Sequence, residues 1–100
     1  MRRLTTPEHK FTLQIDPSVI SKVRITYAQN NAIVLNKEGD AVFLDGNIAM
    51  VKLTQEETKK FTADKEVEIQ VRVLTLGGDA LASDIIKVDV KKALDDEVMA

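Results

Sequence analysis

The chain has no cysteine and no tryptophan, one histidine, one tyrosine, three phenylalanines and only two prolines in 100 residues. Without cysteine there are no disulfides, no thiolate nucleophile and no thiolate metal site, and nothing about the redox compartment follows. A lone histidine, His9, leaves any zinc site to carboxylates, an improbable donor set. Aromatics at 4% and a formal charge of −2, from 14 basic and 16 acidic residues spread along the chain, supply neither a stacking platform nor a basic face for nucleic acid. No apolar run approaches the ~18 residues of a membrane span. Met1-Arg2-Arg3 has the charge of an export signal, but Leu4 to Lys10 is polar where an apolar stretch would follow. The reading is therefore no signal peptide and synthesis in the cytoplasm.

What is present is alternation. At 44% hydrophobic and 30% charged residues the chain has a globular composition. At this length it forms one domain, 1–100, with flexible ends expected at about 1–9 and 95–100. Phe11, Leu13 and Ile15 alternate with Thr12 and Gln14 before Asp16-Pro17-Ser18 breaks the strand. Val23, Ile25 and Tyr27 repeat the pattern up to Gln29-Asn30-Asn31. Short strands follow over 32–36 and 41–44, and Asp45-Gly46 marks a tight hairpin returning over 47–53. Val67, Ile69, Val71 and Val73 form the longest alternation and the expected centre of the core. After Gly77-Gly78-Asp79 the last strand carries Ile86, Val88 and Val90. Ala82 shares their parity, but Asp84 intervenes, so a bulge falls near Ser83-Asp84 or the strand starts beyond it.

One segment departs from period two. Thr54-Gln55-Glu56-Glu57 has the spacing of a capping box, predicting a short connecting helix near 54–61. Together these elements predict an all-β protein: an immunoglobulin-like antiparallel β-sandwich of about seven strands, with a small barrel as the alternative.

The chemistry-bearing residues read mainly as structure. His9 has no serine or aspartate placed beside it and is expected to be exposed in the N-terminal lead-in. Glu56-Glu57 belongs to the helix start and Asp95-Asp96 to a solvated tail, so neither pair reads as a general acid and base. Asp40 and Asp45 do not match an ordered calcium loop, and Gly77-Gly78 is followed by a strand rather than the helix of a phosphate cradle. Sugar recognition would rest on Tyr27 alone. No catalytic, cofactor-binding or metal residue is assigned, and no cofactor is expected.

Four apolar residues fall on faces that the core parity leaves outside: Ile48, Met50, Leu74 and Ile85. They are the expected interface of a homo-oligomer or of a larger assembly.

Several segments also resemble a known family: Thr5-Thr6-Pro7 leading into Phe11-Thr12-Leu13, Val51 to Thr58 with Phe61, Val67 to Arg72, and Gly78 to Ser83. They are similar to small virion structural proteins of prophages of Gram-positive bacteria, and in order to the N-terminal domain of phage baseplate upper proteins. The resemblance implies a non-enzymatic tail, baseplate or head-to-tail component whose partners are proteins, itself or other virion subunits, with neither nucleic acid nor membrane. It implies a passage from host cytoplasm to virion. The chain departs from the baseplate proteins in having no receptor-binding segment after Val90. The competing readings are a standalone module for carbohydrate or peptide and a host-directed inhibitor.

Overall fold

In the computed structural model, which describes residues 1–100, the chain is an immunoglobulin-like antiparallel β-sandwich of eight strands. The smaller sheet has the order β1 (Glu8–Thr12), β5 (Ile48–Lys52), β4 (Phe43–Asp45). The larger one runs β3 (Ala32–Glu38), β2 (Ile20–Gln29), β6 (Glu66–Thr75), and then β7 (Ala80–Ala82) and β8 (Ile86–Asp89), both on the far side of β6.

The centre is the long ladder between β2 and β6, in which Val23 faces Val73, Ile25 faces Val71 and Tyr27 faces Ile69. Directly opposed residues point to the same face of a sheet, so these pairs form a continuous apolar layer. Ala49 and Val51 of the smaller sheet, Leu53 just beyond it and Phe61 from the segment around residue 61 close over it. Both expected parities, Val67 to Val73 and Ala49 to Leu53, are the buried ones.

The turns follow from backbone chemistry. Asn30 and Asn31 both have positive φ, 50° and 62°, as a two-residue hairpin between right-twisted strands requires. Gly46 supplies φ of 58° after Asp45 in the β4–β5 hairpin. Gln29, buried beside the first turn, donates to Thr62 O and accepts from Thr62 N, pinning the loop that follows the helix.

Helix α1 (Gln55–Lys59) crosses from the smaller sheet to the larger with both halves of its capping box formed. The Thr54 hydroxyl accepts from Glu57 N at 3.1 Å, and the Glu57 carboxylate accepts from Thr54 N at 2.9 Å. Thr58, fully buried, accepts from Thr5 N and donates to Thr5 O, which ties the helix to the N-terminal segment.

Both ends make specific contacts with the body of the domain. The backbone of residues 1–3 lies along the segment after β8: Lys91 N donates to Met1 O, Arg3 N to Lys91 O, and the terminal ammonium to Asp89 O. Arg3 pairs with Asp96 at 2.7 Å, and Gln55 exchanges two hydrogen bonds with the backbone of Met99. Burying Met1 against the core and satisfying these backbone groups is what holds the lead-in.

Two substitutions test this architecture. Thr54→Ala should lower stability by roughly 0.5–2 kcal/mol through loss of the cap, read as a lower denaturation midpoint at constant m-value. Ile69→Ala should cost roughly 2–5 kcal/mol by opening a cavity under the β2–β6 ladder; wild-type stability would mean that Ile69 is not in the core.

Candidate contact surface

The two sheets are unequal, and the mismatch leaves apolar surface uncovered. On the far side of β6, β7 pairs Ala82 with Arg72 and Leu81 with Val73, whereas β8 pairs Ile86 with Ile69 and Val88 with Val67. The two registers differ by one residue, so Ser83–Ile85 is a bulge, with Ser83 Oγ accepting from Val71 N at 3.0 Å. This bulge reverses the parity of the strand: Leu81, Ile86 and Val88 all face inward, and Ala82 faces out. The conflict between Ala82 and Asp84 in the sequence is resolved in this way.

Leu81 and Ile86 nevertheless remain 49% and 42% exposed. Ile86, assigned to the core by alternation, is thus corrected to a partly open position, because the smaller sheet stops at β1 and nothing covers that end. A cavity of about 470 Å³ results, with Val71 and Val73 as floor, Phe11 to Ile15 on one side and Leu81, Ala82, Ser83 and Ile86 on the other.

Its other border is a strand edge. β1 is hydrogen-bonded to β5 alone. Leu13 N donates to Asn47 O and Pro7 O accepts from Leu53 N, so the odd-numbered residues of this strand direct their backbone groups toward β5. The N–H and C=O of Glu8, Lys10 and Thr12 therefore point away from it, an unpaired edge.

His9 is not the exposed lead-in residue anticipated from sequence. It lies in β1, half-buried, its Nδ1 2.7 Å from Tyr27 Oη, and so links the two sheets. The rings of His9, Phe11, Tyr27 and Phe61 pack at centroid separations of 5.7–6.4 Å. Burial, with a smaller push from the N-terminal ammonium, lowers the His9 pKa below its usual 6.5. Burial and the nearby Glu57 charge hold the Tyr27 phenol well above its ordinary range, so it stays protonated. Tyr27 is 0% exposed, so it offers no platform to a sugar ring, and the exposed aromatic of the structure is Phe43.

Glu57 faces opposing influences. Burial would raise its pKa, but the Lys37 ammonium at 2.7 Å and the Thr54 backbone N–H outweigh it, and the net shift is downward. No group of three or more His, Asp or Glu side chains stands close enough to hold a metal ion. No helix is long and apolar enough to cross a membrane.

The four expected interface residues do not form one patch. Ile48 and Met50 lie on the outer face of the smaller sheet, flanked by Thr12 and Lys10 on one side and by Asp45 and the exposed Phe43 on the other. Leu74 is on the outer face of the larger sheet, opposite Lys22 and Ala80 and bordering a shallow concavity with Arg24 and Arg72. Those two guanidinium groups are direct cross-strand neighbours, and Glu38, 2.7 Å from Arg24, offsets their repulsion. Ile85 stands in the bulge, exposed. Sequence reasoning missed the cavity because its uncovered residues lie on faces that alternation marks as inside.

No known protein family and no curated protein matches this sequence. A solved structure, the V domain of amphioxus IgVJ-C2, is similar over 91% of this chain and 95% of its own, at 12% identity and a TM-score of 0.36. A likeness of that degree says nothing about chemistry or partners.

The half-buried histidine has a pH signature. Its neutral form is favoured by folding, so its contribution is fully present above about pH 6.5 and is lost as pH falls toward the lowered folded-state pKa. Thermal melts should show stability declining below pH 6.5, and His9→Gln should flatten that part of the profile. The loss due to Glu57 comes later, as pH falls below the ordinary carboxylate value of 4.5.

Proposed function

We propose that the protein is a non-enzymatic structural module that acts by assembling with other proteins, as a tail, baseplate or head-to-tail component of a phage or prophage virion. The observation that carries the assembly reading is the balance of apolar side chains. Thirteen hydrophobic residues form the core, while eleven large ones are exposed, among them Phe43, Leu74, Leu81 and Ile86. Single exposed apolar residues are ordinary, but neighbouring ones, here Leu81 and Ile86 at the cavity, mark contact surfaces. The virion assignment rests on the sequence resemblance of Val51 to Thr58, Val67 to Arg72 and Gly78 to Ser83 to phage structural proteins.

The second reading is a standalone module that binds a peptide or carbohydrate. Its peptide form draws on the open cavity beside an unpaired strand edge. Its carbohydrate form cannot use the buried Tyr27 and would have to draw on the exposed Phe43.

Two measurements test the proposal. Light scattering across micromolar concentrations should show mass rising above 11.1 kDa if copies associate. Met50→Lys and Leu74→Lys, on opposite outer faces, should each weaken one contact without unfolding the domain. A strict monomer removes self-assembly and leaves other proteins as partners. Mass spectrometry of purified phage particles should find the chain in stoichiometric amounts; its absence there would remove the virion role.

A further inference from the structure

Resting on the reading that this chain works through protein contacts, we infer that the cavity between β1 and β7 receives one extended segment of a partner protein, added as a strand to the free edge of β1. Two independent features coincide there. The backbone groups of Lys10 and Thr12 are directed away from β5, and the inward faces of Leu81 and Ile86 lack a covering strand. A strand laid beside β1 satisfies the first and covers the second. Main-chain pairing then supplies affinity, and alternate side chains supply specificity.

The size of the cavity selects a segment over a folded domain. Its borders, Lys10 to Ile15 and Leu81 to Ile86, run the length of one short strand, about 17–20 Å. A contact of that extent falls below the ~1,000 Å² that stable association of two folded copies needs. The occupant is a single strand.

Register and charge define its sequence. In an antiparallel pairing the residues opposite His9, Phe11 and Leu13 face the cavity and are apolar, and those opposite Lys10 and Thr12 face solvent. Lys10 is the one charged residue at the border of the cavity; its side chain lies on the outer face beside Met50, and its ammonium reaches Glu8 only at 3.6 Å. A carboxylate opposite Lys10 is its complement. The segment therefore reads apolar, polar, apolar, acidic, apolar.

The probe is the peptide acetyl-TVTVEVT-amide, titrated into the isotopically labelled full chain and followed by NMR. Amide shifts should be confined to residues 9–15 and 81–86, with slowed hydrogen exchange at Lys10 and Thr12. N-methylation of the peptide's glutamate and central threonine, whose amides face β1, should weaken binding by about tenfold or more, as should regrouping the same residues into an apolar block. Leu81→Lys should do the same at an unchanged melting temperature, and the N-methylated peptide decides the matter if that variant does not fold. Shifts centred elsewhere, equal binding of all three peptides, or no response up to about 1 mM would overturn the inference. Particle-borne protein without a peptide response rejects the groove alone, and a peptide response from a chain absent from particles rejects the virion role alone.

Discussion

The ladder between β2 and β6 is the constraint on which the other features depend. It aligns Val23, Ile25 and Tyr27 with Val73, Val71 and Ile69 over the longest stretch of pairing in the molecule. Each remaining element either extends that layer or lies across it. β3 hangs on one side through an Asn-Asn turn, and β7 and β8 on the other through a bulge. The smaller sheet covers the middle, joined to it by apolar packing and by the His9–Tyr27 hydrogen bond. Because three strands cannot cover a sheet four strands wide, in which β7 and β8 share the far side of β6, the protein has a well-formed centre and an open end, and the open end is where it has most to offer another molecule.

Much of the architecture was legible in the sequence. Period-two alternation identified β2, β6 and β8 and the buried parity of β5, because sheet faces translate directly into every second residue. The Thr54–Glu57 spacing located the helix start, since a capping box is a local interaction within four residues. What stayed hidden depends on distant neighbours. Nothing near His9 says that Tyr27 will stand above it, nor does anything near Lys37 point to Glu57. The strand around His9 was read too late because Glu8 and Lys10 look like surface residues, as they are, while the inward side of that strand begins with a histidine.

The surface was less legible still. Ile48, Met50 and Leu74 were placed correctly on outward faces, but sequence parity could not say that those faces point in opposite directions. The bulge explains the rest. A single extra residue at Ser83–Ile85 lets Leu81 and Ile86 both turn inward, where a strict alternation would send one of them to solvent. Alternation tells which side of its own sheet a residue occupies; whether a second sheet extends far enough to cover it is a property of the whole topology.

The central ladder also has a kinetic side. Ile25 and Val71 meet across a stretch of chain that includes all of β3, β4, β5 and the helix, so this pairing demands a large loop closure before it yields any burial. The two hairpins, β2–β3 and β4–β5, are local and can form early, but neither buries enough to persist alone. Folding should accordingly be slow for a chain of this size. Until β6 docks, the apolar side of β2 stands bare, so the yield of native protein depends on how crowded the chains are while they wait.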